Sequence, residues 1–179
     1  NDIPYFNIKE ADFLVTFGAD IAGTFVSPVD YSQQLSEARK KKNFEWFHIE
    51  PGISISGLNS DKRFQINSGT EPFLLVYLLK MLIKNQAVRD VEFGGRLVTK
   101  LPDIDIETVV KETALLEQQI IHLSELLTKA DNPLIITGGN ALTTRNGYET
   151  ALLTGLIQWL TGMTDTTIDF RRACGYSNC

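Results

Sequence analysis

Three short apolar runs, each stopping in a loop of small and acidic residues, constrain this chain more than any other feature. ADFLVTFGAD (Ala11–Asp20) ends at Gly18 and Asp20, FEWFHIEPG (Phe44–Gly52) ends at Glu50, and RFQINSGTEP (Arg63–Pro72) ends at Ser68, Gly69, Thr70 and Glu71. Between the first two, Ser27-Pro28 is an N-cap followed by a proline whose missing N–H costs nothing at the first helical position. The helix it opens is expected to run to about Lys41, with Tyr31, Leu35 and Ala38 on one face. Strand, helix, strand at this spacing is a right-handed parallel crossover. The sequence therefore predicts an α/β fold. It is a Rossmann-like, mostly parallel sheet of four to six strands with helices on both faces, a three-layer α/β/α arrangement formed as one domain over 1–179.

The remaining chain fills in the layers. Asn1–Glu10 reads as lead-in, helical near Ile8. Gly52–Lys62 reads as a polar loop and Arg63–Asn67 as a short strand. Thr70 is expected to cap a helix apolar nearly all round, Leu74 to Ile83, and hence buried on most sides. Residues 85–104, with Gly94-Gly95 and Pro102, read as a long connection or insertion with a hairpin near the glycines. Ile106 to Leu127 recurs at threes and fours and predicts one long helix capped by Asp103 or Asp105. PLIIT (Pro133–Thr137) is a further buried strand closed by Gly138-Gly139. The next helix carries Tyr148, Leu152, Leu156, Trp159, Leu160 and Met163 on one face, ending near Gly162, and Thr166–Phe170 is a last short strand.

Composition excludes several classes. A formal net charge of −5 argues against a nucleic-acid surface, and the one basic run, Arg39–Lys42, suits a helix C-terminus. The two cysteines, Cys174 and Cys179, are too few for a four-cysteine zinc or iron–sulfur site and read as a pair in a tail. No signal peptide or membrane span is expected: Phe73–Ile83, the most apolar helix, is too short and contains Lys80. The chain starts mid-pattern without Met and reads as a fragment or processed product.

No complete catalytic centre is visible. His48 falls inside a strand, His122 lies near an apolar helix stripe, and neither stands at metal-ligand spacing from another ligand. There is no GxSxG, GxGxxG or GxxxxGK pattern. The strand-end loops remain as candidates. Helix N-termini at Ser27 and at Gly69-Thr70 suit an anion. Asp20, Glu50 and Glu71 are acceptors suited to ribose hydroxyls or to the donor edge of a guanine. The same acids also serve as ordinary helix caps, so a nucleotide cleft and a purely structural rim both stand.

The order of these motifs resembles the nucleotide-binding-like third domain of molybdopterin oxidoreductases, the large subunits related to dimethyl sulfoxide reductase. The matching residues are Ala11-Asp12, Gly18-Ala19-Asp20, Glu50-Pro51-Gly52, Ser60-Asp61, Ser68-Gly69-Thr70-Glu71, Pro133–Gly139 and Gly162–Asp169. Within that family Gly18–Arg39 is most similar to the molybdopterin-like portion of the iron–sulfur subunit of alternative complex III, a membrane-bound quinol-oxidising complex. The resemblance implies a site for one half of a molybdopterin guanine dinucleotide, with Gly18, Asp20, Glu50, Gly69, Thr70 and Glu71 as its contacts and no iron–sulfur cluster in this chain. It also implies partners, an iron–sulfur domain or subunit and membrane subunits, and a membrane-associated, periplasmic location. Glu50 stands where the family has Asp, Gly52 where it has Arg, Ser68 for Pro and Glu71 for Asp. Losing the arginine removes a donor fork suited to phosphate. A cofactor-holding domain and a cofactor-free scaffold that docks redox partners are both implied. A thiamine-diphosphate-enzyme middle domain shares the "AD…G" and "P…GG" strands and is the third reading.

Overall fold

The computed structural model describes residues 3–174, with side chains to 172; Cys179 and the first two residues lie outside the described residues. The elements run β1 (Ile3–Phe6), a 3-10 turn (Ile8–Glu10), β2 (Phe13–Phe17), α1 (Pro28–Ala38), β3 (Glu45–Glu50), α2 (Ile55–Asn59), β4 (Lys62–Gln65), α3 (Glu71–Lys84) and α4 (Val91–Val98). They continue α5 (Ile106–Thr113), α6 (Glu117–Lys129), β5 (Pro133–Thr137), α7 (Asn140–Thr143), α8 (Gly147–Thr161), α9 (Met163–Thr166) and β6 (Ile168–Cys174). Four strands pair in parallel in the order β4-β3-β2-β5. The sheet is flanked by helices in three layers, as the sequence predicts.

β2 is the centre of the sheet, with Phe13 opposite both Glu45 and Pro133, and all five of its residues are buried. That is why FLVTF is apolar on both faces, apart from Thr16, whose hydroxyl is used internally. The chain leaves β2 for β3 on one side and later returns to β5 on the other. Strand order therefore reverses between β2 and β5, which makes a topological switch point there. Eight residues of α3 are buried, as its all-round apolar sequence requires.

Several expectations are corrected. The lead-in contains a strand: β1 pairs antiparallel with β6, Phe6 opposite Ile168, in a separate two-stranded ribbon. α1 stops at Ala38, and Ser27 makes no side-chain capping bond. The Gly52–Lys62 loop contains α2, capped by Ser54, whose Oγ accepts from the Gly57 N–H at 3.0 Å. Residues 85–104 hold α4 instead of a hairpin; Asp90 caps it, and a Cβ on Gly94 would stand 3.2 Å from Ile83. The long helix after Asp105 is two helices. Ala114 turns left-handed at φ 64, and the Thr113 hydroxyl accepts from the Leu115 N–H at 3.2 Å, which takes the chain out of the first helix. Gln119 Oε1 then accepts from the Leu116 N–H at 2.9 Å to start the second.

The largest reversal concerns α8. Only the far end of the face read as apolar enters the core: Leu160 and Met163 are buried, whereas Tyr148, Leu152 and Trp159 are 75%, 54% and 49% exposed. α8 instead buries Gly147, Thr150, Thr154, Ile157 and Leu160. Its threonines are satisfied inside: Thr154 Oγ1 lies 2.7 Å from Thr137 Oγ1, and Thr150 Oγ1 donates to the Asn146 carbonyl at 2.8 Å. Polar residues that can bond locally are thereby turned inward, and Tyr148, Leu152 and Trp159 are left at the surface.

Candidate functional site

The carboxyl ends of the four parallel strands line one edge of the sheet, where open α/β proteins place their ligands. Gly18 follows β2, Glu50 ends β3, Gly69 to Glu71 follow β4, and Gly138-Gly139 follow β5. The predicted residues thus share one rim, but they fall into two groups with no hydrogen bond between them.

Asp20 and Glu50 form the first group, and α2 joins them. Asp20 Oδ1 accepts from the Ser56 N–H at 2.8 Å, and Ser56 Oγ accepts from the Ala22 N–H at 3.0 Å. Asp20 also folds over its own turn, so that a side chain at Gly23 would overlap the carboxylate. Glu50 is 5% exposed, and both of its oxygens are engaged. Oε1 accepts from Arg63 Nε at 2.7 Å and from the Ser54 N–H at 3.2 Å, while Oε2 lies 3.1 Å from His48 Nε2. Gly57 makes room beside it: a Cβ there would overlap Oε1, so a larger residue must displace the carboxylate. Behind Glu50 the fully buried His48 brings Nδ1 within 2.6 Å of Thr16 Oγ1, which also accepts from Trp46 Nε1 at 2.9 Å.

The charges follow from this packing. Burial works to raise the Glu50 pKa, but the hydrogen bonds from Arg63 and Ser54 and the nearby His48 outweigh it and hold the carboxyl below its usual value. Burial pushes His48 below the ordinary imidazole value against the opposing pull of Glu50 and Asp20. At neutral pH the group is a carboxylate–guanidinium pair backed by a neutral imidazole.

Glu71 belongs to the second group. Gly69, at φ +81, turns the chain into α3, and its carbonyl accepts from Asn146 Nδ2 at 2.7 Å, tying the rim to the segment before α8. Thr70 makes no side-chain cap; its hydroxyl donates to the Asn67 carbonyl at 2.6 Å. Glu71 is 1% exposed, and its Oε2 has no hydrogen-bond partner among the described residues. Burial raises its pKa, against the backbone N–H groups of Glu71 and Gly69.

The switch point itself is narrow. Gly18 and Gly139 both take positive φ, 61 and 50, and a Cβ on Gly139 would stand 2.5 Å from the Gly18 carbonyl oxygen. The Phe25 ring covers Gly138, where a Cβ would come within 2.7 Å of it. Backbone packs on backbone at this point of the rim.

Sequence reasoning missed His48, Arg63, Ser54, Ser56 and Asn146. Trp46, His48 and Glu50 alternate along β3 and so share a face. His48 also pairs in register with Arg63 across the β3–β4 ladder, so period-two reading of the two strands would have assembled the cluster. His122 stays apart, half-buried, with Nε2 3.0 Å from Lys62 Nζ and its ring against Phe47. Among the described residues no group of three His, Cys, Asp or Glu is placed to hold a metal, and no helix is long and apolar enough to cross a membrane.

No protein-family profile and no curated protein matches this sequence. Among solved structures the chain is similar to acetylene hydratase from Pelobacter acetylenicus, with a TM-score of 0.73 over 92% of this chain at 13% identity. It spans 23% of the length of that chain. At this identity the likeness establishes the fold: the four-stranded parallel sheet, its helices and its crossovers are an arrangement found inside a much larger enzyme.

Proposed function

We propose that this chain is a domain of molybdopterin-oxidoreductase type that acts as a cofactor-free scaffold, its dinucleotide rim closed by its own side chains. Two things support the reading: the order of motifs from Ala11 to Asp169, and an α/β fold shared with part of acetylene hydratase, as the resemblance implies. The observation that carries the scaffold reading is Glu50. An acid that recognises guanine must offer its oxygens to the base, and here both are taken by Arg63, Ser54 and His48. The one arginine at this acid is thereby withdrawn from phosphate recognition, and one oxygen of Asp20 is held by the Ser56 N–H. The residues after β2 and β3 do not fit a guanine dinucleotide.

A second reading, a retained dinucleotide half-site, is favoured by one specific observation: the buried, unpartnered Oε2 of Glu71. The respiratory setting, with an iron–sulfur partner, membrane subunits and a periplasmic face, is proposed on the sequence resemblance alone. Pterin, guanine and molybdenum or tungsten assays on the natively purified, full-length gene product separate the two readings. The scaffold reading expects none in stoichiometric amount; one guanine and one or two pterins per chain would overturn it.

A further inference from the structure

The outer edge of β5 is closed at two points and open at a third. β5 ends the strand order, so one side of it has no strand beside it. In a parallel ladder, alternate residues turn their N–H and C=O to the neighbouring strand. The Gly138 N–H donates to the Phe17 carbonyl of β2 at 3.0 Å, which sets the phase: Pro133, Ile135 and Thr137 turn theirs to the free side. Pro133 has no N–H, and its carbonyl accepts from Thr167 Oγ1 at 3.0 Å. The Ile135 carbonyl accepts from Gln158 Nε2 at 2.7 Å. Thr137 is the exception. Its hydroxyl meets Thr154, but its outward N–H and C=O take no partner among the described residues.

That open pair belongs to the lining of a cavity of about 350 Å³. β1 supplies Ile3, Pro4 and Phe6 to it, and α8 supplies Ala151, Gly155 and Gln158. The rings of Phe6 and Phe25, with centroids 6.2 Å apart, are both in the lining. Gly155 sits in the interior of α8, where glycine is unfavourable, and a Cβ there would meet nothing within 4 Å. Packing does not call for this glycine; its effect is to leave room in the cavity.

We propose that this slot binds a small, neutral, planar molecule through an amide-like edge, a carboxamide or an amino-azine, whose acceptor takes the Thr137 N–H and whose donor meets the Thr137 C=O. Size, charge and the edge itself choose that occupant. Ligand pockets run from about 300 to about 1,000 Å³, and one at the lower end admits a single ring with its substituent. The lining holds no Lys, Arg, His, Asp or Glu, so nothing there answers a phosphate or a carboxylate, and a nucleotide is the wrong class. An added strand is the wrong partner too: it would pair with Ile135 as well, whose carbonyl Gln158 already holds. The two aromatic rings suit a flat face. The site goes beyond the scaffold reading and shares no residue with the Asp20–Glu50 cluster or with Gly69–Glu71. Cofactor found in the purified protein would leave the slot standing, and a slot that binds nothing leaves the rim as described.

The probe is benzamide, titrated into the full chain and followed in proton–nitrogen correlation spectra. It is expected to saturate one site in the millimolar range and to move the Thr137 amide proton downfield. Benzoate has no donor and carries a charge, and N,N-dimethylbenzamide has no donor; each should bind about tenfold more weakly, the factor that one hydrogen bond supplies. Gly155→Leu and, independently, Ala151→Leu fill the cavity from exposed helix positions. Each should weaken benzamide tenfold or more while leaving the far-ultraviolet circular dichroism unchanged. The proposal is overturned by no saturation, by equal affinity for the three compounds, by a Thr137 amide that does not move, or by binding that the leucine variants leave intact. A valine–threonine pentapeptide that binds more tightly than benzamide overturns it as well, since the edge would then be a strand site.

Discussion

Replacing Arg63 with methionine tests how the rim is held together. The Arg63 Nε–Glu50 Oε1 bond is 2.7 Å long, with the side chains 23% and 6% exposed, so the variant strands a buried carboxylate. Removing one partner of a fully buried pair costs about 3–5 kcal/mol. Here the arginine reaches water, and Ser54 and His48 still hold Glu50, so the expected loss at pH 7 is about 2–3 kcal/mol, in the range of one lost charge-assisted bond. For a chain of this length that lowers Tm by about 4–12 °C. Urea unfolding measures the loss directly, and repeating it at falling pH gives the sign. The Glu50 pKa is depressed in the folded protein, so the pair's contribution is present above the unfolded value of 4.5 and is lost as pH falls through the lower folded value. The cost of Arg63→Met must therefore shrink over that window. A loss under about 0.5 kcal/mol at pH 7, or one that does not change with pH, would refute the idea that Glu50 is spent on holding this loop.

Four further outcomes are expected. Glu71→Gln should raise stability at pH 7 by about 1–2 kcal/mol, since it removes an underpaired buried charge; because the folded pKa is raised, the wild type loses stability as pH climbs from 4.5, and the gain must vanish at pH 4 in the same unfolding assay. Thr16→Val leaves Trp46 Nε1 without its acceptor and His48 Nδ1 without its hydroxyl partner in the core, and should cost about 2–3 kcal/mol by urea unfolding. Gly57→Ala should displace Glu50 and cost about 1–3 kcal/mol, an effect that Glu50→Ala should largely absorb in a double-mutant cycle. Gly139→Ala combines a positive φ with a close approach to the Gly18 carbonyl and should lower Tm by several degrees, about 2 kcal/mol, in differential scanning calorimetry.

The parallel core was legible because its signal is local. FLVTF, FHIE and PLIIT are short apolar runs closed by turn residues, and burial on both faces leaves them no other role. The helix breaks were not legible. Ala114 has no left-handed preference of its own and takes that conformation because the Thr113 hydroxyl and Gln119 close the two helix ends around it. α4 hid behind two glycines, one of which packs closely on Ile83, a contact between separate helices. α8 shows the limit of periodicity: its stripe is real, but a stripe says that a face is apolar, not which partner covers it. At the rim, Asp20, Glu50 and Glu71 are read from the sequence as acceptors for a ligand, and in the structure Asp20 and Glu50 accept from the chain's own groups. What Asp20 and Glu50 accept from is hidden in the sequence, because Ser56, Arg63 and Ser54 reach them only once β3, α2 and β4 are folded together.

The central claim is that the β2 and β3 loops are sealed by their own acids. Isothermal titration of guanosine diphosphate into the purified chain, beside the Glu50→Gln and Glu71→Gln variants, tests it most directly. The account predicts no saturable heat for wild type at millimolar nucleotide. Micromolar binding that Glu50→Gln abolishes would contradict it, for it would mean that this carboxylate leaves Arg63 and His48 to meet a base.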